Sequence, residues 1–141
     1  MSEISFNSIR DGVSLALHAA FPAPAQIHGG DTKQGLKAGD FNVVMPGAGH
    51  SQEVGPRYKR TPTVDVIYYP KKDNAECYDM ADQLTAVLES ITTPEGYVVH
   101  ATSCTWNVTD GVLHVLLTYD HFVYRPHEEV MMGELKIDQR G

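Results

Sequence analysis

The chain has 141 residues, 42% of them hydrophobic and 9% aromatic, and 11 Lys and Arg against 18 Asp and Glu give a formal charge of −7. One domain with a core that needs no disulfide staples is expected at this length, and the acidic balance argues against wrapping nucleic acid, which takes a basic surface. No run of apolar residues is long enough to span a membrane; the opening MSEISFNSIRDG lacks the pattern of a secretory signal, so Cys77 and Cys104 are expected to stay reduced.

Residues 5–21 place Phe6, Ile9, Val13, Ala16, Leu17 and Ala20 at three- and four-residue spacing, which predicts a helix with one apolar face. Ser5 or Asn7 is the candidate N-cap, and Phe21-Pro22 ends the run because proline cannot continue a helix. Gly12 inside it costs about 1 kcal/mol relative to alanine, so a close contact is expected there. A short strand around Ile27 and a glycine-rich loop follow, then two β-branched runs, FNVVM (41–45) and TVDVIYY (63–69), that read as strands.

The segment between those strands, 46–62, reads as a long connection, and connections of this length are often functional. It ends in GPRYKRTP, where Arg57, Lys59 and Arg60 crowd around Tyr58 between Gly55-Pro56 and Thr61-Pro62. A solvated loop, a nucleic-acid contact and a protein interface all fit that composition. The acidic remainder disfavours the second, whereas Arg and Tyr are the types enriched at interface hot spots.

A second helix is expected from Asp73, with Asp73 and Glu76 at capping-box spacing and Cys77, Met80, Ala81, Leu84, Val87, Leu88 and Ile91 in helical period. Its other face carries Glu76, Asp79, Asp82 and Glu89, and no Lys or Arg occurs from 73 to 96. This acidic stripe offers a complementary target for the basic segment of a neighbouring copy.

Asp110-Gly111 is a preferred two-residue hairpin turn. It sets the pairs Thr109/Val112, Val108/Leu113, Trp106/Val115, Cys104/Leu117, Thr102/Tyr119 and Val98/Val123, with arms of about 12 residues against the usual five or six. Cys104 and Cys77 both read as small core residues. Near the C-terminus GELKIDQ (133–139) alternates and could close a sheet edge. Two helices on an antiparallel or mixed sheet, in the order α-β-β-β-α-β-β-β with a long C-terminal hairpin, make a single α+β domain over residues 1–141.

Searches for chemistry return little. The seven histidines show no metal-ligand spacing, and no nucleophile elbow, P-loop or dinucleotide fingerprint occurs. No catalytic, cofactor-binding or metal residues are expected; a small hydrolase or ligand-binding domain using the histidines is the alternative of a different class.

Whole segments carry a resemblance: ISFNSIRDGVSLALHAAFP, GLKAGDFNVVMPGAGHSQEVGPRYKRTPTVDVIYYP, AECYDMADQLTAVLESITTPEGYVVH and CTWNVTDGVLHVLLTYDHFVYRP resemble the tail terminator family of phages and prophages of Gram-positive bacteria. The resemblance implies a small α+β protein of the virion, assembled in the host cytoplasm, that closes as a hexameric ring on the last ring of the tail tube. There it ends tube polymerisation and forms the tail side of the head–tail joint. It implies as partners the chain itself, the tail tube protein and a head-completion or stopper protein, with DNA passing through the lumen, no cofactor and no catalysis. Another neck component is the near alternative. Arg57, Tyr58, Lys59 and Arg60 are the expected ring contacts, with Glu76, Asp79 and Asp82 as their acidic counterpart.

Overall fold

A computed structural model describes residues 4–21, 25–29 and 37–125. Helix α1 (Phe6–Ala20) starts where Ser5 and Ser8 cap each other reciprocally: the Ser8 backbone N–H donates to Ser5 Oγ at 3.0 Å and the Ser5 N–H to Ser8 Oγ at 3.2 Å. Two orphan donors are satisfied at once. The Ser8 hydroxyl also donates to Glu95 Oε2 at 3.0 Å, which ties the start of α1 to a later loop. Ile9, Val13 and Leu17 are fully buried along one face, as the spacing predicts. Gly12 lies on the same side, where a Cβ would stand 3.1 Å from Thr92 O and 3.2 Å from Ile91 Cδ1. Glycine here lets a neighbouring strand approach the helix backbone.

The main sheet is built around β2 (Phe41–Gln52) and β3 (Arg57–Tyr68), which run antiparallel. The two-residue β1 (Ile27–His28) adds in parallel to Phe41 and Asn42, so the sheet is mixed. On its other side β3 pairs antiparallel with β7 (Val112–Thr118), which pairs in turn with β6 (Ser103–Thr109). A separate ribbon joins β4 (Ser90–Thr92) to β5 (Val98–His100), and β8 (His121–Tyr124) pairs with the first residues of β3. The fold is α+β with the sheet order β1-β2-β3-β7-β6.

Helix α2 (Asn74–Val87) begins at Asp73, whose carboxylate accepts from the Glu76 N–H at 3.2 Å. Both helices contribute to one core. Along β3 and β7 alternate residues are buried, with Val64, Val66, Leu113, Val115 and Leu117 packing against Leu17, Leu84 and Leu88. Tyr119 is enclosed among them, and its hydroxyl donates to Leu88 O at 2.7 Å, the bond a buried phenol requires. The opposite face of the sheet is only half-buried; it holds the Thr63–Thr118 hydroxyl contact at 3.3 Å and the His114–Asp65 pair at 3.0 Å.

Four expectations change. The second helix ends at Val87, and Ile91, read as its last apolar position, lies in β4. Residues 46–62 are not a loop, because β2 and β3 each run 12 residues and leave only Glu53–Pro56 as the turn. Pro46, Gly47 and Gly49 disguise the strand, and it tolerates them because Pro46 falls at a bulge between Val44 and Gly47 on an edge strand. Pro62 falls where the partner of β3 changes from β7 to β8, so its missing N–H breaks no ladder there.

The C-terminal hairpin keeps its expected register from Thr109/Val112 to Cys104/Leu117 and stops at Ser103. Beyond it, Thr102 N–H donates to Thr118 O and Ala101 N–H to Glu89 O, both at 2.8 Å, and the chain turns away. Val98 then pairs with Thr92 and Val123 with Tyr58, so the Val98/Val123 pair and the 12-residue arms do not occur. Cys104 is exposed rather than a core residue, since β6 ends the sheet, while Cys77 is buried as expected. The GELKIDQ stretch (133–139) lies outside the described residues.

Candidate subunit interface

Past the bulge, β2, β3 and β8 form a three-stranded arm that meets the start of α1 through Arg60. The arm is held by the residues the sequence singles out. Arg60 is buried at 8% exposure; its guanidinium lies 4.3 Å from the Phe6 ring centre and its Nε–H donates to His50 Nδ1 at 3.0 Å. Tyr58, on the same face of the strand, stacks on His50 with ring centres 4.8 Å apart and a 6° interplanar angle. Arg57 points to the other face and covers Phe122 at 4.4 Å, and Lys59 beside it pairs with Asp120 at 3.7 Å. Period-two alternation therefore splits PRYKR into a half-buried Arg57/Lys59 face and a core-side Tyr58/Arg60 face.

The acidic residues divide too. Glu76 turns inward, accepting from Tyr68 Oη and from the backbone N–H groups of Lys71 and Lys72, the latter at 2.8 Å from Oε1. Burial alone would raise its carboxyl; these donors outweigh that and hold it below the ordinary glutamate value. Burial and the Glu76 carboxylate push the Tyr68 hydroxyl well above its ordinary value, so it remains a donor. Asp79 and Asp82 are exposed on α2. Arg60 and Glu76 thus serve their own subunit, and Arg57, Tyr58, Lys59, Asp79 and Asp82 remain the accessible members of the expected set.

Sequence reasoning missed the apolar part of this surface. Val54 at the arm's turn is 78% exposed, Phe122 47% and Tyr124 66%. On the other edge Tyr78 of α2 leans on Trp106 of β6, ring centres 5.7 Å apart, and both remain about half exposed. The alternation in HFVY carries the signal: if Val123 faces the core, Phe122 and Tyr124 face out.

The described histidines mostly have structural partners in different parts of the fold. His28 Nε2 lies 3.1 Å from Asp40 Oδ2, His100 Nδ1 lies 2.6 Å from Ser90 Oγ, and His114 pairs with Asp65. Burial alone would raise Asp40; N–H donors from Lys37 and Gln26, together with His28, hold it lower than usual. Among the described residues no three His, Cys, Asp or Glu side chains gather as metal ligands, and no helix is long and apolar enough to cross a membrane.

His121 gives the fold a pH dependence. Its ring is buried beside Arg60, its Nδ1 lies 3.0 Å from Tyr119 O, and its Nε2 is buried without a hydrogen-bond partner among the described residues. Burial first, then the Arg60 charge, hold its pKa below the ordinary 6.5 against the opposing pull of Tyr119 O and Asp120. The unfolded chain binds this proton more readily, so the contribution is complete above pH 6.5 and is lost as pH falls below that value. The depressed Asp40 and Glu76 carboxyls act in the same direction lower down, below their ordinary 3.8 and 4.5. Melting temperature is therefore expected to fall in two stages on acidification, and His121→Gln should flatten the first.

The model of the phage tail terminator protein family matches residues 8–131. The chain belongs to the phage tail terminator family. Family membership supports a structural role in a phage tail. Among solved structures, the chain resembles one from the virion of a native gene transfer agent particle, with 13% identity and a TM-score of 0.52 over 84% of this chain and 96% of that one. At that identity the two share a fold. A second solved chain aligns with 15% identity and a TM-score of 0.46 over 90% of this chain and 100% of its own length. Among curated proteins none matches in sequence.

Proposed function

We propose that this terminator closes as a homohexameric ring on the last ring of the tail tube. The ring ends tube polymerisation and presents its other face to a head-completion or stopper protein, forming the tail side of the head–tail joint. Assembly takes place in the host bacterial cytoplasm, from a phage or prophage gene. The observation that carries the reading is the membership in the tail terminator family over nearly the whole chain. The arm supports it, since a closed ring needs two different, complementary faces on every subunit. Arg57, Tyr58 and Lys59 on the arm, and Asp79 and Asp82 on α2 with Tyr78 and Trp106 beside them, are the proposed contact residues. The acidic balance of each copy suits a lumen that passes DNA without trapping it.

Polymerising the cognate tail tube protein with and without the terminator tests this reading. Tubes are expected to stop growing, and to stay stopped after fresh tube protein is added. Tubes that keep growing, with the terminator bound instead to the portal end of heads, would move the chain to another position in the neck.

A further inference from the structure

We infer that the arms of adjacent copies join edge to edge, with β8 of one copy hydrogen-bonding to residues 50–53 at the end of β2 in the next. The inference rests on the ring reading and says how that ring is sewn together. At the level of the arm the sheet is three strands wide, β2-β3-β8, and β1 covers only Phe41 and Asn42. Among the described residues, then, no strand pairs with the outer edge of β2 beyond Asn42 or with the outer edge of β8. An open edge is a template for another strand, and proteins normally blunt it with charge, proline or a cover. His121-Phe122-Val123-Tyr124 carries none of the blunting residues and sets two exposed aromatics there.

The two edges match in height. Ser51 pairs with Lys59, which pairs with Phe122, and Gln52 pairs with Tyr58, which pairs with Val123. The open edge of β2 and that of β8 therefore lie at one level on opposite sides of β3. Copies related by rotation about an axis along the arm bring these edges together without any axial shift. Direction matches as well: β2 and β8 both run antiparallel to β3, so they run parallel to each other. Rotation about that axis preserves direction, and the junction is a parallel pair. Charge agrees, because Glu53 follows the end of β2 at the level of Tyr124, next to Arg125 of the adjoining copy. Each copy then contributes three strands to a closed sheet, and closure removes both edges.

A cysteine pair tests the junction in the full-length protein with Cys104→Ser as background. Ser51→Cys and Phe122→Cys lie on one face at one level, but within a subunit two strand spacings separate them, about 9.6 Å. That exceeds the roughly 7 Å a disulfide can span, so any bond between them joins two copies. Oxidising terminator-capped tubes is expected to give a covalent ladder that ends at the full ring, absent from either single variant. Caps visible in micrographs without a ladder would overturn the edge junction and leave the ring reading standing. A ladder from Phe122→Cys with Asp79→Cys instead would overturn it in favour of an arm docked on α2. Absence of caps in the parent protein would overturn the ring reading and this inference together.

Discussion

Phe41→Ala is expected to remove about 3–5 kcal/mol of stability, the range for deleting a buried aromatic ring that its surroundings cannot replace. Phe41 is 1% exposed, and its ring centre lies 5.0 Å from those of both Phe21 and Tyr68. This trio links the end of α1 to two strands, and the Tyr68 hydroxyl carries the link on to Glu76 at the head of α2. Collapse of the cavity would require all of these elements to move, so little recovery is available. For a domain whose total stability is about 5–15 kcal/mol, such a loss approaches unfolding. The urea midpoint should drop sharply at an unchanged slope, and Phe41→Leu should cost much less. A loss below about 1 kcal/mol for the alanine variant would mean that the trio is not part of the packed core.

Arg60→Ala is expected to cost about 2–3 kcal/mol, with the damage concentrated in the arm. A desolvated cation over an aromatic ring contributes up to about 2 kcal/mol. A hydrogen bond from a charged donor contributes about 1.5–3 kcal/mol, and the two are not additive because both orient the same guanidinium. Arg60 connects α1 through Phe6, β2 through His50 and the start of β8 through its position opposite His121. Removing it should speed amide exchange in residues 47–60 and 121–124 while the Val64–Val66 and Leu113–Leu117 core stays protected. The His121 pKa should rise toward 6.5, because the Arg60 charge is one of the causes holding it down. A uniform loss of protection over the whole sheet would show that Arg60 supports the core rather than the arm.

What the sequence makes legible follows from where periodicity is enforced. Both helices, and the hairpin from Thr109/Val112 to Cys104/Leu117, have one face in the core, so their apolar residues repeat with the period of the element. The arm has little core face. GAGHSQ and RYKR alternate between polar side chains on both sides, and glycine and proline in an edge strand read as a loop. The chain's departure at Ser103 is invisible for another reason: Val98 and Val99 look like a continuation of β6, yet Ile91 and Thr92 capture them as a separate ribbon beneath Gly12. Charge picks out Arg57, Lys59 and Arg60 as a group. Only the register shows that Arg60 faces inward with Tyr58 while Arg57 and Lys59 face the other way. Glu76 likewise scans as one more acid on the stripe, and its donors Lys71 N, Lys72 N and Tyr68 Oη become evident only when the loop before α2 is folded.

Cryo-electron microscopy of tail tube ends assembled with the purified terminator tests the central claim most directly. The reading predicts one sixfold ring of this chain on the final tube ring, with the arms side by side and an open lumen. Tube ends that bind the terminator as scattered monomers, or with a symmetry other than six, would contradict it.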